Sequence, residues 1–176
     1  WGQWDADVLG RCMSEAFVER YRQELSAFWR QTAVQLKSER PAEERNSYPG
    51  SWLLALMAVK AEADLGGWAE QLSHDEAIRA TRISCIGLNG FLTDVERTHP
   101  QAVAHVITDA LTGQLSQLAE VCEAPILQDI HYHGSANMKA AVAAILINEL
   151  PTLLSQPITS ARNSLDYAVG IIADAG

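Results

Sequence analysis

The sequence is short of several things, and each shortage excludes a class of protein. Cysteine occurs at Cys12, Cys85 and Cys122, an odd number at wide spacing. That gives no disulfide framework and suits buried thiols in a reducing compartment. Positive charge is scarce: 13 Lys and Arg stand against 22 Asp and Glu, for a formal charge of −9. Phosphate backbones and anionic lipids repel such a chain, so neither general nucleic-acid binding nor membrane binding is expected. Apolar runs fall short of the roughly 20 residues that span a bilayer, and the N-terminus lacks the basic-then-apolar pattern of a secretory signal. These absences together predict a cytoplasmic protein. No window alternates apolar and polar residues for more than a few positions, so strands are not expected.

What is present is helical periodicity. The 176 residues, 48% of them hydrophobic, suit one globular domain over 1–176. From 14 to 37, Phe17, Tyr21, Leu25, Phe28, Trp29, Ala33 and Leu36 recur at spacings of three and four, predicting a long amphipathic helix. Residues 38–50, SERPAEERNSYPG, have charge, two prolines and no periodicity, and predict an exposed loop. A helical stack should fill 51–176. Ser51 caps a first helix that stops at Gly66-Gly67. Ser73 with Glu76 makes a capping box for a second, ending near Leu88, and Pro100 is pre-set for the first turn of a third.

On the helix from Ser73, Ala77, Ala80, Ser84 and Gly87 form a face of small side chains opposite Asp75, Arg79 and Arg82. The helix from Ala136 to Leu150 is apolar all round at its centre, which predicts cover on every side, so a carboxylate in place of Ala144 should unfold the domain. Pro151 should interrupt the chain before a last helix from Ser160 to Asp174. The predicted class is all-α: stacked antiparallel helical hairpins in the manner of HEAT or TPR solenoids, or an irregular helical bundle. Trp1 at the start and apolar Ile171-Ile172 near the end suggest a segment of a longer chain.

The stretch DEAIRATRISCIGLNGFLTDVERTHPQAVAHVI, Asp75 to Ile107, with SERPAEERNS upstream, resembles the long helical regions of large bacterial NACHT- or STAND-type signalling ATPases, antiphage-defence sensors among them. The resemblance covers about a third of the chain. It implies a non-catalytic arm of TPR- or HEAT-like helices that meets a protein partner or other domains of its own chain. Any ATPase activity would lie elsewhere, because GxxxxGK[ST] is missing here.

Asp129, His131 and His133 are ligand types that zinc or iron accepts. Alternate residues converge only on an extended backbone, so a small metal-dependent hydrolase built on them needs 125–134 extended and a further ligand. A polar loop between helices is the simpler reading, with no metal and no cofactor. Tryptophans 29 and 52 are expected in the core. For partner binding the candidates are Arg79 and Arg82, one turn apart, with Arg40 and Arg45 on the charged loop. Pairing with nearby acids is the bland alternative for each arginine. The expected function is thus a non-catalytic interaction or sensing module, and helical homo-oligomerisation is the other alternative.

Overall fold

The computed structural model describes residues 11–63, 67–86, 92–118, 124–155 and 158–176, with 158–162 described by backbone alone. These residues form eight α-helices and three 3₁₀ turns, with no strand among them. The helices are α1 (Glu15–Gln31), α2 (Gly50–Ala63), α3 (His74–Ser84), α4 (Leu92–Thr98), α5 (Pro100–Ser116), α6 (Pro125–His133), α7 (Ala136–Ser155) and α8 (Ile158–Ala175). The 3₁₀ turns lie at Lys37–Glu39, Ala42–Glu44 and Ala69–Gln71. The class is all-α, as the periodicity predicts.

Local chemistry explains most of the starts. The Ser14 hydroxyl accepts from Phe17 N at 3.3 Å, and the Ser73–Glu76 box closes from both sides, at 3.3 Å and 2.8 Å. Ser135 caps α7 through Met138 N at 3.0 Å, while prolines open α5 and α6. Gly67 has a φ of 78°, a left-handed conformation that glycine adopts without strain.

Packing runs in an order close to that of the chain. Helices α1 and α2 pair, and α3 packs on both. Helices α3 and α4 lie on α5, which also meets α6 and α7, and the α7–α8 hairpin closes the far end with α6 against α8. One contiguous core follows this path from Leu25 and Trp29 to Ala168 and Ile171. The small face of α3 is buried as expected, at Ala77, Ala80 and Ser84. On α5, a Cβ at Gly113 would lie 2.5 Å from Ser38 Cβ. That bare position lets the 37–39 turn cross the helix, and Gln117 Nε2 then donates to Ser38 O at 2.8 Å.

Besides α7, several expectations change. Helix α2 begins at Gly50, so Ser51 lies inside it rather than capping it, and α3 ends at Ser84 rather than near Leu88. Helix α1 stops at Gln31 rather than 37, because 32–36 run extended with their carbonyls bonded to α3 side chains. The 38–50 segment is not a free loop: it makes two 3₁₀ turns around an Arg40 that is only 4% exposed. Residues 125–133 are helical. Pro151 lies inside α7, which continues to Ser155. Cys12 is exposed rather than buried. Trp1, Gly66, Gly87, Leu88 and Cys122 lie outside the described residues.

The largest change concerns α7. Its inner side, Met138, Val142, Leu146 and Leu153, is buried, but Ala144 is exposed, as are Ile147 at 53% and Leu154 at 66%. Covered on one side only, the helix nonetheless has the length and apolar composition to cross a membrane, with a mean hydropathy of 1.3.

Candidate functional site

The four arginines expected to point at a partner are turned inward. Arg82 Nε donates to Val34 O at 3.0 Å and its guanidinium pairs with Glu39; Arg79 donates to Thr32 O at 3.3 Å. Residues 32–36 have left the helix, and their carbonyls need donors that α3 supplies. Arg40 lies over the rings of Tyr48 and Trp52, at 5.6 and 4.9 Å, and donates to the carbonyls of Arg45 and Ser47. Arg45 Nε returns a bond to Arg40 O at 3.2 Å. These side chains fix a non-helical stretch of their own chain.

Helix α6 separates the three suggested metal ligands, since positions two apart on a helix point about 200° from one another. Asp129 faces a small cavity. His131 packs against Tyr167, with ring centroids 5.6 Å apart, over Gly170, where a Cβ would lie 2.6 Å from the imidazole Cε1. His133 is exposed at the last turn. No three His, Cys, Asp or Glu side chains are grouped to hold a metal among the described residues.

The cavity beside Asp129 holds about 40 Å³ and is lined by Lys37, Tyr48, Cys85 and Gln114, among others. It has room for a few waters. Burial pushes the Cys85 thiol up to about 12, so it stays protonated at neutral pH and is no nucleophile. Burial also pushes the Asp129 carboxyl up, against the pull of Lys37 and His133. A wider groove of about 190 Å³ lies between α1 and α2, lined by Glu19, Arg22, Ser26 and Glu62 among others. Its Glu62 is already held by Arg30 at 2.8 Å, by Trp29 Nε1 and by Ser26 Oγ at 3.1 Å.

What stands out is the outer face of α7. Ala140, Ala141, Ala144, Ile147, Pro151 and Leu154 are all exposed, joined only by Asn137, Asn148 and small side chains. No exposed position of this helix is ionisable. Every other described helix of more than nine residues carries an exposed ionisable side chain: Glu15, Lys60, Asp75, Asp109 and Asp166 in turn. From Ala140 to Leu154 the stripe runs about four turns, about 21 Å at 1.5 Å per residue. The polar residues Asn137, Asn148, Thr152 and Ser155 fall within one arc of about 60° on a helical wheel. That clustering is the signal in the sequence by which the wet side of this helix can be found.

No family model, curated protein or solved structure matches the chain. The geometry of its own side chains is therefore the basis for assigning it a role.

Proposed function

We propose that this chain is a non-catalytic helical interaction module that binds a protein partner, or another part of its own protein, through the outer face of α7. The supporting observation is the uncharged, largely apolar stripe on that face. In an acidic protein, leaving about 21 Å of exposed helix without a charge costs solubility, and contiguous apolar surface of this kind marks contact sites. The resemblance to the helical arms of NACHT- or STAND-type ATPases points the same way, and placing this chain in such an arm is part of the proposal. The arginine surface named from the sequence is replaced by α7, because those arginines are engaged within the fold.

A photoreactive amino acid at Ile147 tests the proposal in the native cell, with the same residue at exposed Arg20 as the control. A discrete adduct from position 147 alone is expected. Adducts from neither position, or the same ladder from both, overturn the reading.

A further inference from the structure

The groove between α1 and α2 is lined by one stripe of each helix. Glu19, Arg22 and Leu25 line it from α1, and Ala58, Ala61 and Glu62 from α2. The two alanines leave it open, since they bring only methyl groups to the space between the helices. Its volume of about 190 Å³ falls well short of the roughly 300 Å³ at which pockets for drug-sized ligands begin. It exceeds the roughly 150 Å³ that holds a benzene ring. A molecule the size of a single amino acid fits such a space.

The charged side chains of the groove are not equivalent. Glu62 accepts from Arg30 Nη1 and Nη2, each at 2.8 Å, and from Ser26 and Trp29, so the fold already uses its charge and its lone pairs. Glu19 accepts from Gln23 Nε2 at 2.9 Å, a neutral donor that leaves its charge uncompensated. Arg22 has no ion pair or hydrogen bond among the described residues, and its Nε is shielded from water as well. A shielded donor without an acceptor is costly, and beside an open groove its retention is explained by an acceptor that arrives from outside. The groove therefore offers one uncompensated cation and one uncompensated anion, three residues apart on α1.

We infer that this groove binds a free apolar α-amino acid, whose carboxylate pairs with Arg22, whose ammonium pairs with Glu19, and whose side chain lies against Leu25, Ala58 and Ala61. Charge selects this class over its rivals. Arg30 answers both Glu62 and, at 2.7 Å, Glu76 on α3, so that network keeps one negative charge in excess. A simple anion would gain Arg22 but meet Glu19 and that excess, and a simple cation would gain Glu19 but leave Arg22 without an acceptor. A zwitterion satisfies both, and its carboxylate can take two parallel donors from one guanidinium. The site lies on α1 and α2 and does not depend on the α7 reading.

The test titrates the nitrogen-15-labelled chain, followed by NMR, with three compounds: L-leucine, N-acetyl-L-leucine, which keeps only the carboxylate, and L-leucinamide, which keeps only the ammonium. Leucine should bind saturably, with its largest amide shifts in residues 19–26 and 58–62, and each analogue about tenfold more weakly. Arg22→Gln and Glu19→Gln should each weaken leucine by about tenfold as well. Both variants should keep the parent's melting temperature, because Arg22 holds nothing in the fold and a glutamine at 19 still accepts from Gln23. No saturation by leucine at about 20 mM overturns the inference. So do equal binding of the three compounds, tighter binding of N-acetyl-leucine than of leucine, shifts centred away from the groove, or leucine binding unchanged in the two variants. If Arg22→Gln melts lower than the parent, the ranking of the three compounds on the parent chain still decides.

Discussion

At the scale of single residues, polar side chains serve mainly to satisfy backbone that has left the helices. Arg82 shows the cost of removing one. Its side chain is 26% exposed, and it donates to the carbonyl of Val34 while pairing with Glu39. Arg82→Ala leaves that carbonyl without its donor, so we expect a loss of about 2 kcal/mol by denaturant unfolding. Arg82→Lys should recover little of it, because one ammonium does not reproduce the spread of the guanidinium fork. A variant as stable as the parent would return Arg82 to the surface. Asp129 makes the opposite case. Its folded pKa is raised above the ordinary 3.8, so its ionisation costs stability: the fold is favoured while the carboxyl is protonated, and that advantage is lost as pH rises through the folded value. Asp129→Asn cannot ionise and should melt above the parent at pH 7, with the gap closing as pH falls through the raised folded value and closed below about 3.8. A lower melting temperature at pH 7 would mean that the attraction of Lys37 and His133 outweighs burial.

At the scale of elements, α7 decides most. Its interior Pro151 lies on the exposed side, where the missing N–H costs a hydrogen bond but the ring meets solvent rather than packed core. Pro151→Ala restores the bond to Ile147 O and should stabilise the chain by about 1 to 3 kcal/mol, measured as a higher denaturation midpoint with an unchanged slope. Ala144→Asp tests the face in another way. The carboxylate would stand in water, so stability should move by no more than about 0.5 kcal/mol. Unfolding of this variant would put Ala144 back inside the core. Such a helix was half legible in the sequence. Its existence followed from local chemistry, but apolar composition alone could not tell a helix covered on every side from one open on its outer side.

At the scale of the whole molecule, acid should unfold this protein from below about pH 4.5, and the groups responsible can be named. Burial pushes the Glu62 carboxyl up, but hydrogen bonds from Arg30 and Trp29, the charge of Arg30 and the Ser26 hydroxyl outweigh it and hold the pKa below the ordinary 4.5. Glu76 is lowered by the Ser73 backbone N–H and hydroxyl, then by Arg30, which it meets at 2.7 Å. For such depressed acids the stabilisation is complete above the unfolded pKa and is lost as pH falls through the folded one. Glu62→Gln should therefore lower stability at pH 7 and flatten its decline between about pH 4.5 and pH 2. A slope equal to the parent's would remove the Arg30 network from the acid transition.

What the sequence determined by itself was local: the all-α class, the Ser73 capping box, the helix-opening Pro100 and the small face of α3, all of which follow from the chemistry of a few neighbouring residues. Tertiary structure decided the rest. Extended residues 32–36 place their carbonyls against Arg79 and Arg82, which drew those arginines out of solvent, and tight packing at Ser38 and Gly113 turned a charged loop into part of the body. Asp129, His131 and His133 were divided by the helical state of 125–133, which the sequence left open. The outer face of α7 was left uncovered because α5 and α8 fill only its inner side. Which faces of an apolar helix find neighbours depends on contacts between residues far apart in the chain, and periodicity within one segment does not carry that information.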